Sequence, residues 1–525
     1  MANLTLKRKG AIKIAITTNE ILIPKKLFQG KVDKELEFDT TLADFCPDIA
    51  RLIRVDCTPF IQLCEIQGDK VVTNGKAVYD ILYETDYKNR LKFCSFTQDF
   101  SQSIPVPKSN AEDISAFCNA KCERINCKLL SPRRMVLKAN LGIDLQIEGE
   151  TPLHAIAVAE DGETFFRKKT IGFQGRNSVY TENYSFSDSI ALNRNEKNLG
   201  EILFGNVVLH RPQINLSPSR AEIKANAEMQ ILCEEESDEG KYFLTSKILP
   251  IEMVFQNDAI ADFKQISVDL EPIESNFVPE LDQYGENRII KADFSVKMTL
   301  KAAEPKAFTV AEDLFEKDFD SIPIVTSTKL PSVHSRQELS FSAEAKFEDI
   351  TPAPQRILQS TVRERLSASE IADGGVNLKG SFVLTMLLQT AEGIYSLDRD
   401  LEFSQLFPWD LPEECNINAE IHPVEVISNL HSDGSISAKV IAEAKIALET
   451  FKEESFVSEL GKRVAREKES DDSDLIYRFI QRGEDLWSVA KSYRVSPESI
   501  LESNPESFNE TGKAVSLNTP IVIKL

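Results

Sequence analysis

Apolar and polar side chains alternate with a period of two along much of the chain. Leu137, Ala139, Leu141, Ile143 and Leu145 are separated by mostly polar residues, as are Ile290, Ala292, Phe294, Val296 and Met298. Ile436, Ala438, Val440, Ala442, Ala444 and Ile446 follow the same rhythm less strictly. Successive side chains of a strand point to opposite faces, so this pattern predicts strands with one buried face. Other segments rich in Val, Ile, Phe and Tyr, bounded by Asn, Gly, Asp and Pro, read the same way. Helical spacing is scarce before about residue 450.

The pattern also recurs. Gly75-Lys76-Ala77-Val78-Tyr79-Asp80-Ile81-Leu82-Tyr83 has a counterpart 150 residues on, Ala225 to Cys233, and another 155 further, Gly380 to Leu388. The same offsets relate Arg51-Leu52-Ile53 to Glu201-Ile202-Leu203 and to Arg356-Ile357-Leu358. Two anchors sharing both offsets predict three tandem units, at 1–155, 156–303 and 304–451. A chain of 525 residues is too long for one core, and a period near 150 is a domain array rather than a solenoid. Many short strands with polar turns imply sandwich-like or barrel-like β units, each with its own core. Between units the pattern loosens, over Glu148 to Glu163 and Ala302 to Lys317. Residues 452–474 hold five basic and eight acidic side chains and few large apolar ones, and read as an acidic, mobile linker.

The last fifty residues have a different grammar. Tyr477 to Ile480 reads as a short strand, and Gly483-Glu484-Asp485 as a turn whose acids suit a helix N-terminus. Leu486, Val489, Ala490 and Tyr493 form one apolar stripe at helical spacing. Ser496 is a good N-cap with Pro497 at the first helical position, and Asn504-Pro505 ends that helix. Ile521-Val522-Ile523 closes as a strand. The expected fold class is therefore mainly β: three tandem β-sandwich or barrel-like repeats followed by a small α/β module of order strand, helix, helix, strand.

Composition narrows the function. The net charge is −22, and the tail from residue 476 is neutral, so the acidity lies upstream. An acidic surface repels phosphate backbones, which excludes nucleic acid as an expected partner. No run of about 18 apolar residues exists to span a bilayer, and Lys13 interrupts the short apolar stretch after the basic N-terminus, so neither membrane insertion nor an export signal is predicted. Nine cysteines, odd in number and concentrated in the first quarter, suit reduced thiols in a cytosolic compartment. Of these, Cys118 and Cys122 are expected on one face of a strand and Cys127 on the other, as core packing rather than metal ligands. The five histidines, His154, His210, His334, His422 and His431, sit in no metal or hydrolase motif, and no phosphate-cradling glycine loop is present. His422 and His431 read as surface polar residues. No catalytic residue, metal ligand or cofactor is predicted.

The tail resembles a LysM domain. The resemblance rests on Gly483-Glu484-Asp485-Leu486-Trp487-Ser488-Val489-Ala490, Tyr493-Arg494-Val495-Ser496, Ile500 to Pro505 and Ile521 to Ile523. An acidic body of tandem β repeats ending in one LysM module is similar to the SipL-type spore coat morphogenetic proteins, whose repeats are SPOCS domains. The resemblance implies LysM at 475–525 and a non-catalytic scaffold in the mother-cell cytoplasm, at the forespore surface. It also implies that the LysM module engages the coat's basement-layer ATPase (stage IV morphogenetic protein A type) while the repeats hold other coat proteins. LysM modules commonly bind N-acetylglucosamine glycans, but Glu484-Asp485 in the turn and Leu517 to Pro520 before the last strand depart from the pattern in that groove. A protein partner is therefore expected, with Trp487 as anchor and Leu475, Ile476, Ile480 and Tyr493 extending its patch. The competing class is a glycan-anchored binding protein, told apart by titration with N-acetylglucosamine oligomers.

Overall fold

The computed structural model describes residues 18–86, 90–158, 163–193, 197–237, 240–263, 265–332, 335–412, 415–466, 475–481, 484–509, 512–513 and 519–524. The chain is mainly β and built from several antiparallel sheets. The first six strands are β1 (Thr18–Thr41), β2 (Ile49–Gln67), β3 (Lys70–Thr85), β4 (Leu91–Pro105), β5 (Glu112–Ser131) and β6 (Arg134–Ile156). They form two three-stranded sheets, β1-β6-β5 and β2-β3-β4. The sheets pack face to face over Leu36, Tyr79, Ile81, Phe100, Leu137 and Leu141. The period-two residues Leu137, Ala139, Leu141 and Ile143 are all fully buried, as a one-sided strand requires.

The next seven strands repeat this order: β7 (Thr164–Ala191), β8 (Leu199–Leu209), β9 (Gln213–Ser217), β10 (Arg220–Glu235), β11 (Tyr242–Gln256), β12 (Gln265–Leu281) and β13 (Asn287–Glu316). Their sheets are β7-β13-β12 and β8-β10-β11, with β9 also on β10. Then come β14 (Phe319–Pro331), β15 (Ser335–Phe347), β16 (Pro354–Ala372), β17 (Gly375–Thr390), β18 (Gly393–Pro408), β19 (Cys415–Leu430) and β20 (Ile436–Ala465). Here β14, β15 and β19 pair with β20, and β16-β17-β18 form the facing sheet. Each set has its own core, with Ile290, Phe294 and Met298 in the second and Ile436, Val440 and Ile446 in the third. The central strands β3, β10 and β17 start at residues 70, 220 and 375, which reproduces the sequence offsets. At the same place in the first and third, Gly75 and Gly380 leave room for Phe100 and Phe403. A Cβ would stand 2.5 Å from the Phe100 ring in one case and 2.7 Å from the Phe403 ring in the other. The second set has Ala225 there, opposite the smaller Ile251.

The three sets close on one another. Strand β4 touches β8, β11 touches β16, and β18 returns to β2, so equivalent strands make the same contact around a ring. The anchors of the sequence repeat lie where the sets meet: Leu82, Leu232 and Leu387 join Leu203, Leu358 and Ile53 in one apolar cluster. Polar groups rim it. The Arg51 guanidinium pairs with Glu84 at 2.6 Å and lies 4.1 Å from the Tyr395 ring, while Leu91 N–H donates to the Tyr242 hydroxyl at 3.0 Å.

The segments expected to be loose are strand over most of their described residues. Residues 148–156 and 302–316 are the C-terminal ends of β6 and β13, and 452–465, read as the first part of a mobile linker, continues β20 against β14. Each forms a two-stranded ribbon, and the three ribbons meet in two stacked layers. Ala155, Val310 and Phe456 make one layer, and Ile156, Ala311 and Val457 the other, all buried to 1% exposure or less. Ion pairs cross between ribbons: Lys306 to Glu150 at 3.4 Å, Arg463 to Glu316 at 2.6 Å, and Lys169 to Glu454. One ribbon offers too few apolar residues for a core, so its sequence looks like a linker. Residues 159–162 of the first segment and 467–474 of the expected linker lie outside the described residues. Cys127 is a second correction. A bulge between Cys122 and Arg124 resets the period, so Cys118, Cys122 and Cys127 face Leu145, Leu141 and Leu137 on one side of the sheet.

Leu232→Ala at the ring junction is expected to cost about 2–5 kcal/mol, because a fully buried leucine shared by three sets leaves a cavity. Leu216→Ala, exposed on β9, should stay within about 0.5 kcal/mol of the parent. Denaturant unfolding monitored by circular dichroism measures both.

Candidate protein-interaction site

The C-terminal residues form β21 (Leu475–Phe479), α1 (Leu486–Tyr493), α2 (Pro497–Ser503) and β22 (Pro520–Lys524), with β21 and β22 antiparallel. Local chemistry defines each end. Asp485 caps α1 by accepting the Ser488 N–H at 2.8 Å while the Ser488 hydroxyl accepts the Asp485 N–H at 2.8 Å. Arg494 ends α1 in the left-handed conformation. Ser496 caps α2 by accepting the Ser499 N–H at 2.9 Å, with Pro497 in its first turn. The buried Asn504 amide donates to Ile500 O and Val522 O and accepts the Val522 N–H, which fastens the end of α2 to β22.

The core of this module is not its own alone. Ile480, Val489, Ala490, Val495, Ile500, Phe508, Ile521 and Ile523 enclose Phe315 from the tip of β13, which is fully buried. The Phe315 ring lies 5.1 Å from Trp487 and 5.0 Å from Phe165 of β7, both in tilted contact. Trp487 Nε1–H donates to Asp313 Oδ2 at 2.9 Å, and Lys491 Nζ reaches the same carboxylate at 2.6 and 2.7 Å. Arg494 bonds Asp320 at 2.9 Å, and Arg167 approaches Asp485 at 3.4 Å. Burial pushes the Asp313 carboxyl up, but the hydrogen bonds from Lys491 and Trp487 and the lysine charge outweigh it and hold the group below its ordinary range.

The five residues predicted as a partner patch are separated by this arrangement. Trp487 is half-buried against Phe315 and Asp313 of the same chain. Ile480 is buried, and Ile476 and Tyr493 pack on the module core; the Arg478 guanidinium lies 5.6 Å from the Tyr493 ring. Only Leu475 is open, at 54% exposure, and it is joined by Tyr477 at 63% and Phe479 at 54% on the outer face of β21. The Tyr477 and Phe479 rings meet edge to face at 5.8 Å. The sequence reading passed over these two, although their period-two spacing with Leu475, opposite the inward Ile476 and Ile480, is the signal that marks them.

Elsewhere, Asp269, Glu420 and His422 bring ligand-type atoms within 4.8 Å of one another. Lys301 and Lys445 each lie 3.1 Å from an Asp269 oxygen. Burial pushes the Asp269 carboxyl up, but these two charges hold it down at about 2. The group works as an ion-pair node between the second and third sets of strands. His431 Nε2 lies 2.9 Å from the Ser437 hydroxyl, His210 Nε2 3.3 Å from Glu228, and His334 is outside the described residues.

Asp313→Ala should release the module from β13. In a Trp409→Phe background, Trp487 emission is then expected to shift to the red and quench more readily with acrylamide. The wild-type contact also has a defined pH dependence. A carboxylate with a depressed docked pKa contributes fully above the ordinary aspartate value of 3.8, and that contribution is lost as pH falls through the lower docked value. The matching acid shift of Trp487 emission should be absent in Asp313→Ala.

Residues 48–130 match the family model described as SipL, SPOCS domain. The match runs from the start of β2 into the end of β5, leaving out β1 and β6, which complete the first set of sheets. No curated protein and no solved structure matches the chain. Over residues 48–130, then, the chain is similar to the SPOCS domain of the SipL-type spore coat proteins.

Proposed function

We propose that this protein is a non-enzymatic adaptor of spore-coat assembly, in which a LysM-type C-terminal module grips the coat's basement-layer ATPase and the β body carries other coat proteins around the forespore. The SPOCS domain gives the chain a sporulation coat-related role and belongs to a non-catalytic, coat-associated family. The three sets of strands are read as three SPOCS-type repeats. No helix among the described residues is long and apolar enough to cross a membrane. In this reading the protein works in the mother-cell cytoplasm, at the forespore surface.

The observation that carries the reading is the outer face of β21. Leu475, Tyr477 and Phe479 form an apolar row open to solvent on a module whose opposite side rests on β13. A cluster of exposed aromatics on a small domain suits a protein interface, where anchors contribute about 2 kcal/mol or more each. Trp487 acts within the chain, seating the module, and the ATPase contacts the β21 row. This revises the expectation that Trp487 itself is the anchor. The glycan-binding alternative has less in its favour: the Asp485 side chain is committed to capping α1, and Leu486 N–H to Gly512 O closes the turn onto the loop after α2.

The full-length triple variant Leu475→Ser, Tyr477→Ser, Phe479→Ser should lose co-purification with the basement-layer ATPase from sporulating cells, while Trp487→Ala retains it. Loss in Trp487→Ala with retention in the triple variant would place the partner on the other face. Saturable binding of N-acetylglucosamine oligomers with no ATPase capture would overturn the adaptor reading.

A further inference from the structure

Seven of the nine cysteines belong to the first unit, six on its strands and Cys46 in the turn between β1 and β2, and the second and third have one each, Cys233 and Cys415. Four of the seven meet in pairs. Where β2 packs on β5, Cys57 of β2 and Cys122 of β5 meet in one core cluster, and Cys64 of β2 and Cys118 of β5 meet in another. A separate contact locates the second pair. Thr73 stands opposite Cys64 in the β2–β3 register, and its hydroxyl lies 3.7 Å from Cys118 Sγ. All nine cysteines are free thiols.

The place of these pairs in the fold matters. Strand β2 borders one sheet and β5 the other, and the two strands pack together without a shared ladder among the described residues. Side chains alone close this seam, and the two thiol pairs bridge it. Burial of cysteine as a small apolar group explains one thiol in a core. It does not require two successive thiol-to-thiol contacts across one seam, in one of three sets with the same strand order.

We propose that Cys57 with Cys122, and Cys64 with Cys118, are two dithiol sites that oxidise to disulfides and staple β2 to β5. A hydrogen bond from Cys57 is the main cause that lowers the Cys122 thiol below its ordinary range, and the same bond is the main cause that raises Cys57. Cys118 is lowered and Cys64 raised in the same way. In the first pair Cys57 is buried and Cys122 partly exposed, so the Cys122 thiolate meets the oxidant first; in the second both thiols are partly exposed, and either one begins. The oxidant is a small-molecule disulfide. Thiolate attack on one of its sulfurs expels the first small thiolate and leaves a mixed disulfide on the protein. The other thiol of the pair, giving up its proton, then attacks the protein-bound sulfur and expels the second. Each site consumes one disulfide and yields one protein disulfide and two small thiols. The thiols persist in a reducing cytoplasm, and the staples form when the assembled protein meets oxidising surroundings.

The test uses the full-length wild-type chain, so no variant has to fold. The reduced protein is equilibrated with glutathione disulfide, remaining thiols are alkylated in denaturant, and peptides are mapped by mass spectrometry. The expected result is two linked peptide pairs, Cys57–Cys122 and Cys64–Cys118, each lighter by two hydrogens. Cys233 and Cys415 should remain alkylated. The thermal midpoint should rise by about 5 °C or more and fall back on reduction. Failure of either link to form, or pairing of these cysteines with other partners, overturns the proposal.

Discussion

The rest of the structure depends on the closure of three similar sets of strands around shared apolar positions. A contact between unlike faces of repeated units either propagates or closes, and here the third set returns to the first. Leu82, Leu232 and Leu387 are equivalent in sequence and neighbours in space, so one short pattern serves both the repeat and the junction between repeats. Each set is a thin sandwich of two small sheets. Apolar area that one such sandwich leaves open is covered by the next, which gives a chain of modest domains a common interior.

The ribbons apply the same rule at a second level. Glu150, Glu316 and Glu454 are buried at this junction, each with a basic partner, Lys306, Arg463 and Lys169 respectively. Removing one partner of such a pair leaves a buried charge, so these contacts specify how the ribbons meet more than they add stability. The acidic composition of the segments is thus part of their packing.

The tail takes its place from the ribbons. Phe315 sits at the end of β13 and enters the core of the C-terminal module, and Asp313 two residues earlier takes the Trp487 and Lys491 donors. A fifty-residue module has little interior of its own, and here the missing piece comes from the body. With Trp487 seated on the body, the Leu475, Tyr477 and Phe479 face of β21 is left open to solvent. The first set of strands differs from its counterparts through its cysteines, which lie on the side of the sheet where its two halves meet.

Period-two spacing at Leu137 to Leu145, the twin offsets of the Gly75 and Arg51 segments, the Ser496 cap, and the helix boundaries near Asp485 and Asn504 were all legible in the sequence. They are local: alternation, side-chain capping and turn chemistry act over a few residues and leave their mark in order. What only the tertiary structure decided concerns residues whose partners lie far away in the chain. Residues 452–465 look like linker because their apolar contacts, Phe456 and Val457, are completed by β6 and β13. Cys127 changed faces because one bulged residue reset the period. Trp487 found Phe315 and Asp313, more than 170 positions earlier, a pairing no spacing encodes. Sequence periodicity tells which face of a strand is buried; what it is buried against depends on how separate sheets come together.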